Sequence, residues 1–110
     1  MFKLIRDNVP AEMKAAGEVC NYATAENTEL FLALLRAKLV EEVDEFLTTG
    51  NVEELVDIET VIRAFAKASG MTEADFDKAY ADKLAKRGGF DKKLLGLFPD
   101  PEPTTENQVK

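Results

Sequence analysis

Glycine closes three helix-period stretches of this chain at nearly even intervals, at Gly50, Gly70 and Gly88-Gly89. Before each stop, apolar residues recur every three or four positions, the spacing of one helical face. Glycine ends a helix readily because it has no Cβ to oppose a left-handed turn. Residues that accept a backbone N–H at a helix start stand where each stretch opens: Thr28, Asn51 and Thr72. This punctuation predicts helices over 28–48, 51–69 and 72–87. Thr72-Glu73-Ala74-Asp75 has the form of a capping box with Asp in place of Glu. The connections are short, so the first two helices should be antiparallel neighbours.

The flanks are less regular. Lys3 to Val9 reads as extended or turn-like, and Pro10 opens a short helix, Ala11 to Ala16, that Gly17 stops. Val19 to Thr24 suits a brief strand. Leu94 to Phe98 is apolar enough to pack back on the body. From Pro99 onward, three prolines and few apolar residues predict a disordered tail. The expected architecture is all-α: an antiparallel helical bundle in one domain, 1–98. A short irregular or strand-like N-terminal segment precedes it, and a disordered tail, 99–110, follows it. At 110 residues and 45% hydrophobic content, such a domain leaves much apolar surface wet, and self-association is a natural way to cover it.

Several function classes are excluded by what the chain lacks. It has no histidine, which removes histidine bases, Ser-His and Cys-His nucleophile pairs, and histidine metal ligands. The single cysteine, Cys20, allows no intrachain disulfide. Metal chemistry must therefore use carboxylates, which favour Mg²⁺, Mn²⁺ or Ca²⁺ over Zn²⁺. A net charge of −7 opposes binding to nucleic acid or to an anionic membrane surface. No stretch has the apolar length of a membrane span, and the opening residues do not resemble a signal peptide. A cytoplasmic location is expected.

A helix turns about 100° per residue, so the direction of each side chain follows from its position. In the first long helix, Leu32, Leu35, Leu39, Val43 and Phe46 form the apolar stripe. Glu42 falls at its edge, roughly 20° from Leu35, with Glu45 and Lys38 beside it. In the second, Ile58, Val61, Phe65 and Ala68 mark the apolar face; Glu54 points along its middle and Asp57 along one edge. Each acidic pair is spaced three apart, and a carboxylate turned toward a core needs a partner or a metal. Two such pairs on adjacent helices supply four oxygen ligands for octahedral Mg²⁺, or for Mn²⁺.

Other readings compete. Asn51 with Glu54 also matches a capping box, and Glu42 and Glu45 can pair with lysines. Glu41, Asp44 and Glu53 lie farther from the apolar faces and suit a solvated surface. On the third helix, Lys83 and Arg87 share the direction of Phe76, Ala79, Tyr80 and Leu84. They either snorkel or reach toward phosphate.

Lys38-Leu39-Val40-Glu41-Glu42-Val43-Asp44-Glu45, followed by Glu54-Leu55-Val56-Asp57, resembles the paired signature of the all-α nucleoside triphosphate pyrophosphatase superfamily. That group includes MazG-like proteins, dimeric dUTPases and phosphoribosyl-ATP pyrophosphohydrolases. The opening Lys3-Leu4-Ile5-Arg6-Asp7-Asn8-Val9-Pro10 and the closing Lys83 to Phe90 are similar to a MazG-like, phosphoribosyl-ATP pyrophosphohydrolase-like branch. The resemblance implies Glu42, Glu45, Glu54 and Asp57 as Mg²⁺ ligands. It also implies phosphate contacts from Lys38, Lys83 and Arg87, and assembly as a homodimer or homotetramer. Only the eight residues 46–53 separate Glu45 from Glu54, fewer than in many members, which implies a tight hairpin and a small pocket.

The activity so implied is Mg²⁺-dependent hydrolysis of a nucleoside triphosphate between its α and β phosphates. The products are monophosphate and pyrophosphate, in a nucleotide-pool sanitising role. Glu41 or Glu45 would orient the water. Two alternatives stand beside it: phosphoribosyl-ATP as substrate, and a non-catalytic helical dimerisation module with a structural cation site.

Overall fold

A computed structural model describes residues 2–100 of the chain, and these form four helices. Helix α1 spans Val9–Ala15, α2 Thr28–Thr49, α3 Glu54–Ala68 and α4 Glu73–Arg87. The expected all-α character is present. No strand forms among the described residues, so the strand-like reading of Val19 to Thr24 is corrected. An extended segment becomes a strand only by pairing its backbone with a neighbour, and residues 19–24 make no such backbone hydrogen bond among the described residues. The tail beyond Asp100 lies outside the described residues.

The helix ends follow local hydrogen-bonding chemistry. Asn27, not Thr28, caps α2: its Oδ1 accepts the Leu30 N–H at 2.8 Å. At the other end Gly50 adopts φ +67°, and its N–H donates to the Phe46 carbonyl. The chain then turns at once. The Asn51 N–H donates to the Thr49 hydroxyl at 3.1 Å, and Asn51 Oδ1 accepts the Glu53 N–H at 2.9 Å. Bonds of the i→i+3 kind carry residues 51–56 into α3, so regular helix begins at Glu54. Before α4, the Thr72 capping box is complete: Thr72 Oγ1 accepts the Asp75 N–H, and Asp75 Oδ2 accepts the Thr72 N–H.

Helices α2 and α3 pack as a hairpin, and the main core lies between them. Leu35 and Val61 are buried there. Leu39, Val43, Phe46, Ile58, Ile62 and Phe65 are half-buried around them. The pairing is antiparallel, because Glu42 meets the first turn of α3 while the Arg36 guanidinium lies over the Phe65 ring, 5.1 Å from its centroid. Among the four helices, α4 contacts only α3. Arg63, paired with Glu59 of its own helix at 2.7 Å, holds that junction through Asp77 at 3.2 Å and the Phe76 ring at 5.2 Å.

From Asp77 to Arg87 every residue of α4 is exposed. The expected return of Leu94 to Phe98 onto the body does not occur: Leu94, Leu95, Leu97 and Phe98 are all exposed. One chain therefore forms a hairpin with a projecting helix and does not close a bundle. The radius of gyration is 18.5 Å, against about 13 Å for a compact chain of this length.

Candidate metal centre

The hairpin geometry decides which carboxylates meet. Glu42 lies on the inner edge of α2, two turns before its end, while Glu54 and Asp57 form the inner edge of the first turn of α3. The tight link through Gly50 folds one onto the other. One carboxylate oxygen from each of Glu42, Glu54 and Asp57 falls in a group whose members all lie within 4.8 Å of one another. Two oxygens on one hard cation are separated by at most twice the bond length, or about 4–5 Å for bonds of about 2.1–2.5 Å. The spacing and the all-oxygen donor set suit Mg²⁺, Mn²⁺ or Ca²⁺, so the triad can hold such an ion.

Burial strengthens the case at one position. Glu42 is 7% exposed, the only buried charged residue among those described. Its sole close cation among the described residues is Lys38, one turn earlier, with Nζ 3.4 Å away. Asp57 is met by the N-terminal arm: Arg6 Nη2 donates to its Oδ1 at 2.8 Å and to Thr60 Oγ1 at 3.3 Å. Glu54 has no ion pair among the described residues. Desolvation pushes its carboxyl above the ordinary glutamate value, and the negative charges of Glu45, Asp57 and Glu42 push it further. The capping-box alternative for Glu54 fails, because the Asn51 N–H is taken by the Thr49 hydroxyl.

The remaining sequence candidates are spread around this centre. Glu45 is exposed and outside the group of three, yet close enough for its charge to act on Glu54. Glu41 is half-buried, and its Oε1 is shared by Lys3 at 3.2 Å and Lys38 at 3.3 Å. The Lys3 hydrogen bond is the main cause that holds Glu41 below the ordinary carboxylate value, with Lys38 adding to it against desolvation. Lys38 thus bridges Glu41 and Glu42. Lys83 and Arg87 lie on the exposed part of α4 and form no ion pair among the described residues.

Sequence reasoning assigned no role to Lys3 or Arg6 at the acidic centre. Both sit in a segment without helical period, so no facing rule applies to them; their place in the opening motif was the only available signal.

Two surface grooves of about 560 Å³ each lie elsewhere. One follows α1, along Asp7, Lys14, Cys20 and Tyr22. The other lies where α3 meets α4, along Arg63, Lys67, Met71 and Phe76. Neither includes the carboxylate triad. The chain matches no protein-family model, no curated protein and no solved structure.

Proposed function

We propose that this protein is a divalent-cation-dependent nucleoside triphosphate pyrophosphohydrolase that releases pyrophosphate and a nucleoside monophosphate. The observation that carries the reading is the convergence of Glu42, Glu54 and Asp57 from two helices, with Glu42 buried. The motif resemblance around Lys38 to Glu45 and Glu54 to Asp57 supports the choice of phosphoanhydride chemistry. An ion held by these three side chains supplies Lewis-acid polarisation of phosphate oxygens and offsets their charge.

The chain's own groups divide the remaining work. Glu45 stands beside the triad with no ion pair among the described residues, and it orients the attacking water and accepts its proton. The water oxygen bonds to the α-phosphorus, the α–β bridging bond breaks, and pyrophosphate leaves. Glu41 is poorly suited to that task, because two ammonium groups occupy its oxygen. Lys38, 3.4 Å from Glu42, offsets charge at the rim.

Neither groove encloses the triad, so the substrate pocket is completed by association in a homodimer or homotetramer. In that assembly Lys83 and Arg87 serve the phosphates. The role is nucleotide-pool sanitising, in the cytoplasm.

A second reading is favoured by one observation: neither surface groove includes the triad. The cluster would then be a structural cation site in a helical module. The experiment is incubation with Mg²⁺ and a panel of canonical and damaged nucleoside triphosphates, phosphoribosyl-ATP included, with pyrophosphate and monophosphate measured. Pyrophosphate release that disappears in Glu42→Ala supports the enzyme. Its absence with every substrate, together with a Mg²⁺-dependent rise in Tm, leaves the structural module.

A further inference from the structure

We propose that Arg6 is a substrate-binding residue of this same centre and donates to the phosphate chain of the nucleotide. The inference rests on the metal-centre reading of Glu42, Glu54 and Asp57 given above.

Polyanion binding beside an acidic cluster requires cations whose donors are not already committed. Lys38 has its ammonium between Glu41 and Glu42. Lys83 and Arg87 are on the exposed part of α4. Arg6 differs from all three. One nitrogen, Nη2, spends its donors on Asp57 Oδ1 and Thr60 Oγ1. A guanidinium has five N–H donors, so the three on Nε and Nη1 remain. No other acceptor engages them among the described residues, and the side chain is 54% exposed. Its Nη2 is held by the metal-binding edge of α3, and the side chain as a whole stays exposed. Both parallel donor pairs of a guanidinium include Nη2, so the donors left on Nε and Nη1 each meet a single phosphate oxygen, beside a fixed positive charge.

The arm itself is placed for this. Lys3 is fixed to Glu41 on α2 and Arg6 to Asp57 on α3, so residues 3–6 cross the rim of the centre from one helix to the other. The simpler account is that Arg6 is only the counter-ion of Asp57. Exposed pairs of that kind contribute little to stability. The two accounts also predict opposite responses. A mere counter-ion competes with the metal, and its removal strengthens metal binding without touching phosphate. A phosphate ligand loses phosphate affinity when removed.

The test uses the full chain and separates the two ligands. Mn²⁺ alone is titrated into wild type, Arg6→Ala and Arg6→Lys. The preformed Mn²⁺–triphosphate complex, which carries no base, is then titrated into each Mn²⁺-saturated protein. The expected result is Mn²⁺ affinity unchanged or higher in both variants. Triphosphate affinity should fall about tenfold or more in Arg6→Ala and several-fold in Arg6→Lys, which keeps the charge but cannot hold Asp57 and Thr60 with one nitrogen while donating to phosphate from others. Should Arg6→Ala lose helical signal, Arg6→Lys decides alone. Triphosphate affinity equal to wild type in the folded variants overturns the role of Arg6 and leaves the metal centre standing. Absence of Mn²⁺ binding to wild type removes both.

Discussion

A carboxylate withdrawn from water must find compensating charge, and among the described residues Glu42 finds a single ammonium at 3.4 Å, an ion-pair distance without a tight hydrogen bond. The inward turn of Glu42, Glu54 and Asp57 was legible from helical rotation alone, because each shares a face with known apolar positions. Arg6 was not legible, since its contact with Asp57 joins residues 51 positions apart through a non-helical arm.

Glu54 carries the pH dependence. Its folded-state carboxyl titrates above the ordinary value, so as pH rises through that window the unfolded chain ionises first and stability falls. Glu41 acts oppositely: its contribution is present above the ordinary value and is lost as pH falls through the lowered one. Glu54→Gln should therefore raise Tm at neutral pH in chelator and flatten the decline between acidic and neutral pH, as followed by circular dichroism. The same variant should lose the Mg²⁺-dependent increment, which in wild type reaches about 2.7 kcal/mol at a hundredfold excess over Kd. A Tm lowered by the substitution in chelator contradicts this electrostatic account.

The elements owe their boundaries to a few polar contacts, and these were harder to read than the helices themselves. Thr28 and Asn27 are equally able to cap; the structure uses Asn27 because it has the extended backbone, φ −152°. The delayed start of α3 follows from Thr49 capturing the Asn51 N–H, a contact no periodicity reveals. Thr72 was read correctly because a capping box is a complete local pattern.

Two substitutions test these elements. Thr72→Ala should cost about 1 kcal/mol and speed amide exchange in the first turn of α4, since little but the cap and Arg63 holds that helix. Gly50→Ala meets no atom within 4 Å, so its cost comes only from the left-handed backbone, roughly 1–2 kcal/mol. Urea unfolding should show both losses. A Gly50→Ala protein as stable as wild type contradicts the role given to this turn.

At the scale of the whole molecule, one chain exposes more surface than it can cover. Its accessible area is 10236 Å², against about 6,000 Å² for a compact monomer of this mass. Val40, Leu47, Val56, Tyr80, Phe90, Leu94, Leu95, Leu97 and Phe98 are all more than half exposed. The sequence showed that apolar residues were plentiful but not which faces would remain uncovered. The misplaced expectation for Leu94 to Phe98 arose there, because short apolar runs carry no record of their partner. We predict self-association: sedimentation should give a dimer or tetramer at micromolar concentration, and Leu95→Asp with Phe98→Asp should shift it toward monomer. A wild-type monomer at every concentration contradicts this.

No helix among the described residues is long and apolar enough to cross a membrane. The account as a whole depends on whether oxygens from α2 and α3 share an ion. Titration of Mn²⁺ into wild type, Glu54→Gln and Asp57→Asn, with free ion counted by electron paramagnetic resonance, measures this without assuming a substrate. The prediction is one tightly bound ion per chain, weakened at least about tenfold by either substitution while helical content holds. Wild type that binds no Mn²⁺, or three proteins that bind it equally, would contradict the shared site.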